Sequence, residues 1–361
     1  MKENRLLLLL VFTTCLTIVF SVLPYMVCFA SEQRKESWVF KLAEYSPDPT
    51  AAGIAAARPK AMEWWGNEVE KRTNGRVKIE WYWSGSLLPE KVILDGTRKR
   101  LCDIGSWVSI YYPANMPLTE IGSSPGLSGR VYCVSSAFLD AYEKFPEYQD
   151  EFDKRNNVKN LLFMGLESHQ FLTTKEIRSL SDLKGLRIRS FGGFVTLMKE
   201  MGVVPVSMTG PDMYMALERG TIDGLHHPVE NMAKYKTYEV AKYYTKVDIG
   251  AVLAIGLAMN LDLWNSLPSD IQGVFTKIRR EYIDVQTRVY DEYTEKQLKI
   301  LKDAGVKFHE LSESEKQLIH KLSLPIQEKY ARELDAKGLP GTKMTNFVRE
   351  RINYYETKQQ R

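Results

Sequence analysis

Two arginines at the end of a short apolar stretch carry the clearest chemical signal in this sequence of 361 residues. The segment DLKGLRIRSFGG spans residues 182–193 and places Arg187 and Arg189 one residue apart. In a strand, alternation points Leu186 and Ile188 into a core and both arginines to the other face. A guanidinium there can bind a carboxylate or a sulfonate through two parallel hydrogen bonds. Two solvated charges at a strand end are the alternative.

Two glycines follow these arginines and precede a predicted helix. The free N–H groups at the start of a helix favour an anion. Ligands of open α/β sheets bind beyond the carboxyl ends of the strands. We therefore expect Arg189 and Gly192 to lie at an anion-binding crevice.

The sequence carries none of the common catalytic signatures. G-x-S-x-G, the P-loop, G-x-G-x-x-G and H-E-x-x-H are all missing, and HELSE at His309 does not match the last of them. A metal site of His226, His227 and Glu230 is conceivable, but no further ligand cluster supports it. We predict no metal and no cofactor. A secreted enzyme remains the alternative class to a binding protein.

Aromatic residues stand where predicted strands end. Tyr45 follows the first strand, and Trp107 lies near the end of the third. Both are candidates for an aromatic wall of the crevice, which would suit an apolar ligand substituent or exclude water. Packing in the core of a sheet is the alternative for each.

Residues 1–30 have the pattern of a secretory signal peptide. Lys2 and Arg5 precede an apolar run that ends near Cys28 and Ala30. Cleavage removes two basic residues and one acidic residue, so the net charge falls from +4 to +3. This charge is too balanced for a nucleic-acid-binding protein. We expect a periplasmic protein without its signal peptide, with a retained membrane anchor as the alternative.

The mature chain keeps two cysteines, Cys102 and Cys133. In an exported protein they could form one disulfide. Cys102 lies in an apolar strand-like run, where a buried free thiol fits equally well.

Strand and helix patterns alternate twice along the chain. Predicted strands at 38–46, 76–83 and 101–109 are separated by helices at 61–75 and 89–98. The same order returns in LRIR, FVTLMKEM, VVPVSM, PDMYMALERG and TIDGL. Such β-α-β-α-β units predict two α/β lobes with largely parallel sheets.

Four segments, in this order, resemble the DctP-type solute receptors of TRAP (tripartite ATP-independent periplasmic) transporters. They are VEKRTNGRVKIEWY, LSDLKGLRIRS, MYMALERGTIDGLHHP and MNLDLWNSLPSDIQ. The resemblance covers most of the mature chain. It implies two α/β lobes joined by crossing strands and long C-terminal helices, which close on a small organic anion.

The resemblance also implies roles for three residues. The arginine that ends LKGLRIR forms the salt bridge to the ligand carboxylate in that family, and here it is Arg189. His227 stands where the family commonly has an asparagine that contacts the ligand. His169 aligns with a position that supplies a second basic contact in some members, notably sialic-acid receptors. We therefore expect Arg189, His169 and His227 to bind the ligand.

The expected lobe boundaries follow from the same comparison. Lobe I comprises residues 37–166 with 253–292, and lobe II comprises residues 167–252 with 293–361. The glycine-punctuated segment Asp248–Asn260 is the expected hinge strand. One long helix is expected to bridge the lobes, and the last nine residues are expected to fray.

The resulting prediction is a monomeric periplasmic receptor that captures a small organic anion, expected to be a carboxylate. It closes around its hinge and delivers the ligand to TRAP membrane subunits without chemical conversion. A sulfonate or an aromatic acid would suit the same arginine. A two-lobed secreted enzyme and a sensing binding protein are the functional alternatives.

Overall fold

The computed structural model of the chain describes residues 36–51, 53, 57–208, 210 and 212–359. The expected signal peptide lies outside them. The β-strands are β1 (Trp38–Ala43), β2 (Val77–Tyr82), β3 (Ile104–Val108), β4 (Val158–Leu166), β5 (Gln170–Thr173), β6 (Arg187–Arg189), β7 (Val204–Val206), β8 (Gly224–His227), β9 (Tyr243–Lys246), β10 (Val252–Asn260) and β11 (Lys307–Glu310). The α-helices are α1 (Ala57–Arg72), α2 (Ile93–Arg98), α3 (Val131–Lys144), α4 (Pro146–Asn156), α5 (Phe194–Glu200), α6 (Met213–Glu218), α7 (Val229–Lys234), α8 (Leu261–Ser266), α9 (Ser269–Asp303), α10 (Glu313–Asp335) and α11 (Gly341–Gln359).

The first sheet has the strand order β2-β1-β3-β10-β4. β1 is parallel to β2 and β3, whereas β10 is antiparallel to β3 and β4. Every residue of β10 is buried, because this strand lies inside a sheet whose two faces are both covered. Trp107 belongs to the core on one face, and its neighbour Val108 belongs to the core on the other.

The second sheet has the strand order β11-β9-β5-β8-β6-β7. β6 is parallel to β7 and β8, and β11 is parallel to β9. β5 runs antiparallel to both β8 and β9. Phe171 and Leu172 of β5 enter two separate cores, one on each face. Two α/β lobes with long C-terminal helices confirm the predicted fold class, and the antiparallel pairs all involve β5 or β10.

The chain crosses between the sheets at two adjacent segments. β4 continues through residues 167–169 into β5, and β9 returns through residues 247–251 into β10. The two segments pair with each other, because His169 N donates to Gly250 O and Ile249 N donates to His169 O, both at 3.2 Å. Gly250 has a φ of 140°, and a Cβ there would lie 2.9 Å from the backbone N of Gly126. This paired crossing includes the predicted hinge, whose motion stays a prediction.

Two long helices also bridge the lobes. The first half of α9 packs Phe275 and Tyr282 into a core of the first sheet, and its end packs Leu301 into a core of the second. α10 runs back, with Ile319 in the second lobe and Leu334 in the first. α10 begins with the predicted capping box, in which Ser312 and Glu315 exchange hydrogen bonds.

The C-terminal helix departs from the sequence prediction. The sequence predicts that residues 293–361 belong to lobe II, but α11 packs against α3 of lobe I. Met344, Val348 and Ile352 are buried in the same core as Phe138. The expected frayed tail is also wrong, because the helix continues to Gln359 and Tyr355 is buried. The packed helix buries more apolar surface than a frayed end would, and this burial stabilises the helical form. The other lobe boundaries stay predictions.

The two alternatives for the cysteines are separated by the structure. Cys102 and Cys133 are both buried and free. No helix within the described part of the chain is both long enough and apolar enough to cross a membrane.

The close packing of β10 yields a test of the fold. A Cβ on Gly256 would overlap the Leu162 carbonyl oxygen and the Trp107 ring. We expect Gly256→Ala to lower the free energy of unfolding by about 3 kcal/mol, because neither the backbone nor the buried ring can move away cheaply. Gly273 in α9 has no atom near its Cβ position, so Gly273→Ala should raise stability by about 0.5–1 kcal/mol. Urea unfolding monitored by tryptophan fluorescence measures both. Equal effects of the two substitutions would contradict this packing.

Candidate ligand-binding site

Arg189 ends β6 and is 8% exposed. Its Nε donates to the carbonyl oxygen of Met208 at 3.3 Å, and its guanidinium lies 4.8 Å from the centre of the Phe191 ring. Its Nη1 is buried without a hydrogen-bond partner. No acidic side chain among the described residues pairs with it, and burial lowers its pKa to about 10. Arg189 is therefore a buried cation with a free donor.

Arg187 shares the strand and face of Arg189 but has a different environment. It is half-exposed, and its Nε and Nη2 each donate to an oxygen of Asp223 at 3.0 Å. This pair holds the pKa of Asp223 below its usual value. The two arginines therefore separate into one paired surface charge and one unpaired buried charge, a distinction that alternation alone does not make.

Three histidines surround the buried guanidinium. His169 directly precedes β5, and His226 and His227 end β8. β5 and β8 are neighbours in the sheet, so the three histidines form one cluster. The centre of the His169 ring lies 5.2 Å from that of His226 and 5.8 Å from that of His227. The Phe191 ring stacks on His226 at 5.4 Å. The structure thus brings together Arg189, His169 and His227, as predicted from sequence.

Hydrogen bonds orient two of these rings and leave the third open. His226 Nε2 lies 2.9 Å from Ser190 Oγ, and His227 Nδ1 lies 3.0 Å from Asn231 Nδ2. His169 is fully buried, yet neither of its ring nitrogens has a hydrogen-bond partner. An unsatisfied buried polar atom costs about 1–3 kcal/mol. The open nitrogens of His169 and the free Nη1 of Arg189 therefore mark a place for a polar ligand.

The expectation that His169 provides a basic contact does not fit this environment. Burial, followed by repulsion from Arg189, lowers the pKa of His169 to about 3. Burial and the same positive neighbours hold the pKa values of His226 and His227 well below the usual range. All three imidazoles are neutral near pH 7, so they offer hydrogen bonds without charge. Arg189 supplies the charge of this cluster.

Residues of lobe I face the cluster from across the cleft. Burial lowers the pKa of Arg189, and Tyr235 and Tyr111 oppose this shift, so both phenols lie near the guanidinium. Burial, and then the charge of Glu90, raises the pKa of Tyr111 to about 12. Burial raises the pKa of Glu90, and the positive charge of Arg58 opposes this shift most strongly. Tyr111, Glu90 and Arg58 belong to lobe I, whereas Tyr235 follows α7 of lobe II.

Arg58 is the basic residue that the sequence prediction missed. It is 7% exposed, contacts Glu44 at 3.3 Å, and donates to the Tyr45 hydroxyl at 2.5 Å. Its charge is therefore largely matched by a fully buried carboxylate. The segment ARPKAM carries no motif that separates this arginine from a surface residue. Only the sheet geometry, which returns α1 to the end of β1, places it in the cleft.

The remaining predicted site residues divide into two groups. Tyr45 is partly buried and contacts Arg58, and its predicted role in the ligand crevice stays a prediction. Trp107 is fully buried, donates from Nε1 to Asn160 Oδ1 at 3.0 Å, and packs against Phe152 and Phe163. Trp107 is a core residue, so its prediction as a ligand wall is wrong. Its ring lies on the face of the first sheet that α3 and α4 cover.

Gly192 adopts a φ of 52°, which explains the glycine, and nothing lies near its Cβ position. It precedes α5, which extends only from Phe194 to Glu200. A helix this short adds little field to an anion site. The positive φ explains why residue 192 is a glycine, and its predicted contact with the ligand stays a prediction.

The described residues contain no group of three or more His, Cys, Asp or Glu side chains arranged to hold a metal ion. His226 and His227 instead bond to Ser190 and Asn231.

A match to a family model identifies the family of this chain. The model of bacterial extracellular solute-binding protein family 7, DctP, matches residues 56–333. The chain belongs to this family. Family 7 proteins bind solutes, so the buried cluster of Arg189 and the three histidines is the candidate solute-binding site.

Two relatives of this family 7 protein have named solutes. The C4-dicarboxylate-binding periplasmic protein DctP of Rhodobacter capsulatus is 27% identical over 353 residues, which cover 95% of this chain and 98% of the relative. A monocarboxylate 2-oxoacid-binding periplasmic protein of Nostoc sp. is 30% identical over 278 residues, which cover 73% of this chain and 72% of the relative.

Solved structures agree with the fold. A TRAP periplasmic solute-binding protein from Desulfovibrio salexigens, crystallised in an open complex, is 28% identical with a TM-score of 0.78. The alignment covers 88% of this chain and 96% of that protein. This family 7 chain therefore has the two-lobed architecture of TRAP receptors.

The neutral histidines of the site predict how stability depends on pH. In the unfolded chain a histidine binds a proton below about pH 6.5, whereas folded His169 stays neutral until about pH 3. Its contribution to stability is therefore complete above pH 6.5 and is lost as the pH falls toward 3. Between pH 6 and 4, we expect the free energy of unfolding of His169→Gln to fall less steeply than that of the wild type, by about 1.4 kcal/mol per pH unit. Urea unfolding at pH 4, 5 and 6 measures the two slopes. Parallel curves would show that His169 is protonated in the folded protein.

Proposed function

We propose that this protein is a periplasmic receptor that captures a small organic acid through one carboxylate and delivers it to TRAP membrane subunits. The observation that carries the proposal is the free Nη1 of Arg189, a buried cation without an acidic partner. A carboxylate would accept two hydrogen bonds from the guanidinium and neutralise its charge. The signal peptide at residues 1–30 would be removed on export, and the mature receptor would act as a monomer.

The surroundings of Arg189 favour an acid with one carboxylate and a neutral polar substituent. Beside the guanidinium lie neutral imidazoles, and the open nitrogens of His169 can donate to or accept from a keto or hydroxyl oxygen. Arg58 is already paired with Glu44, so it offers less to a second carboxylate. These contacts resemble what a monocarboxylate 2-oxoacid needs, which is the solute named for the Nostoc relative.

An aromatic acid is compatible with the same arginine. Phe191 and Phe194 lie against the histidine cluster, and Tyr111 and Tyr235 lie in the field of Arg189. Aromatic rings could pack on an apolar substituent of the ligand. A ligand screen that includes 2-oxo acids, benzoate and succinate separates one-carboxylate, aromatic and two-carboxylate ligands.

Capture would operate by closure of the two lobes. Lobe II contributes Arg189 and the histidines, and lobe I contributes Tyr111 and the Arg58 cluster. A ligand that contacts both lobes binds the closed state more tightly and shifts the population toward it. The ligand would leave unchanged, because the site needs only to bind and release it. A turnover assay with the bound acid tests this last point.

The role of Arg189 is tested by paired substitutions of the two neighbouring arginines. Losing one partner of a buried charge pair costs about 2–5 kcal/mol, so Arg189→Ala should weaken binding of the best acid by about thirtyfold to several thousandfold. Arg189→Lys should also weaken binding, because an ammonium cannot form two parallel bonds. Arg187→Ala, which breaks a surface pair, should leave the affinity unchanged. Isothermal titration calorimetry measures all three.

Near-native affinity in Arg189→Ala would refute this ligand contact. An equal loss in Arg187→Ala would instead indicate that strand β6 had been disturbed. Circular dichroism of each variant shows that the lobes remain folded.

Closure has its own measurement. We expect the radius of gyration from small-angle X-ray scattering to fall when the best acid saturates the wild type. The same acid concentration should leave the radius of Arg189→Ala unchanged. Identical scattering of free and saturated wild type would exclude the closing motion.

A further inference from the structure

A second cavity lies on the opposite side of the crossing strands from the acid-binding site. Its volume is about 810 Å³, within the range of small-molecule sites. Alternation explains its position: His169 points to the acid-binding site, while its neighbours Ser168 and Gln170 line the cavity. Neither Arg189 nor any of the three site histidines lines it. The two spaces therefore share a strand but no site residue.

Both lobes and the long bridging helix form the walls of this cavity. Residues 129–132 at the start of α3 belong to lobe I, and Val229 and Tyr244 belong to lobe II. α9 contributes Tyr290 and Leu298. Because its walls belong to both lobes, the cavity should change shape when the lobes move.

Two polar atoms in the cavity lack partners. Glu167 accepts a hydrogen bond from the Thr294 hydroxyl at Oε1, whereas its Oε2 is buried with no partner. Tyr290 is 3% exposed, and its hydroxyl also has no partner. Buried polar atoms are nearly always hydrogen-bonded in folded proteins. Two such atoms on neighbouring walls indicate an occupant that bonds to both.

The charges near Glu167 favour a positive occupant. Burial, and then the negative charges of Glu230 and Asp291, raises the pKa of Glu167 to about 8. The basic wall residue Lys246 is engaged elsewhere, because its Nζ lies 3.1 Å from Glu310. Burial raises the pKa of Asp291, and the charge of Arg130 opposes this rise. Arg58, which acts on Tyr290, is paired with Glu44. At pH 7 Glu167 is therefore largely uncharged, and an ammonium ion on its Oε2 would favour the carboxylate form and relieve the repulsion from Glu230 and Asp291.

We propose that this hinge cavity binds a small organic ammonium ion, with its charged group on Glu167 Oε2 and the Tyr290 hydroxyl. Its apolar substituent would pack on Val131, Val229 and Leu298, which line the same space. The proposal of this site does not depend on the acid-binding function proposed above. Binding there would couple to the acid site, since both ligands contact parts that move with the hinge.

A pair of matched probes tests the charge requirement. Phenethylamine is protonated at pH 8, and 2-phenylethanol has nearly the same shape without charge. We expect calorimetric titration of the whole mature chain at pH 8 to show one saturable site for phenethylamine. The alcohol should bind at least about tenfold more weakly, because a hydrogen bond to a charged group is the stronger one. Equal binding of the two probes, or no saturable binding of the amine, would overturn the proposal.

Substitutions locate the site. Glu167→Gln should weaken phenethylamine binding at least about tenfold, and Tyr290→Phe should weaken it less. Glu292 lies on the same helix but is exposed and paired with Lys296, so Glu292→Gln should bind like the wild type. Thr287→Phe fills the cavity without changing a charge, and it should block binding even if Glu167→Gln fails to fold.

Arg189→Ala distinguishes the two sites. It should bind phenethylamine with the wild-type affinity while losing the acid. Loss of amine binding in Arg189→Ala, or wild-type amine binding in both Glu167→Gln and Thr287→Phe, would place the amine elsewhere and refute the hinge site. Failure of the acid-binding proposal would leave these amine results unchanged.

Discussion

The buried guanidinium of Arg189 is the group on which the site depends. Removing a cation from water is costly unless an anion and hydrogen bonds replace the lost solvation. In this fold the replacement is partial, because Arg189 has one backbone carbonyl and one aromatic ring as partners. The packing of the second lobe holds it there, since β6 is fixed between β7 and β8. The stability of the lobe thus holds in place a buried positive charge that an anionic ligand could neutralise.

The histidines beside Arg189 follow from the same constraint. Burial, and then repulsion by the guanidinium, strongly disfavours protonation of His169. The cluster therefore keeps one charge and surrounds it with neutral hydrogen-bonding groups. In the proposed function this arrangement would separate two tasks: Arg189 would supply most of the attraction for an anion, and the imidazoles would recognise the atoms around it. Specificity then depends on shape and hydrogen bonds more than on added charge.

The sequence predicted the elements and the central arginine, because both follow from local patterns. Alternation and helical spacing located the strands, and the LKGLRIR motif singled out Arg189 through its resemblance to a family. Trp107 was wrongly predicted because a position near the end of a strand does not reveal that helices cover the side chain, as α3 and α4 cover this ring. Arg58 was missed because its role arises only when α1 returns to the end of β1. The neutral state of His169 could not be predicted either, because it follows from burial and then from the nearby charge of Arg189, which only the folded structure shows.

The position of the C-terminal helix could not be predicted from a local pattern either. Its amphipathic pattern requires an apolar partner but does not say which lobe supplies it. The structure joins it to α3 in lobe I, so the chain crosses the hinge region through α9 and again through α10. Lobe motion must therefore bend or shift two helices as well as two strands. The strand that carries His169 on one side carries Ser168 and Gln170 on the other, so a movement that reshapes the acid-binding site also reshapes the cavity behind it. The predicted hinge is thus a shared wall, and under the two proposals a ligand on either side of it would act on the same motion.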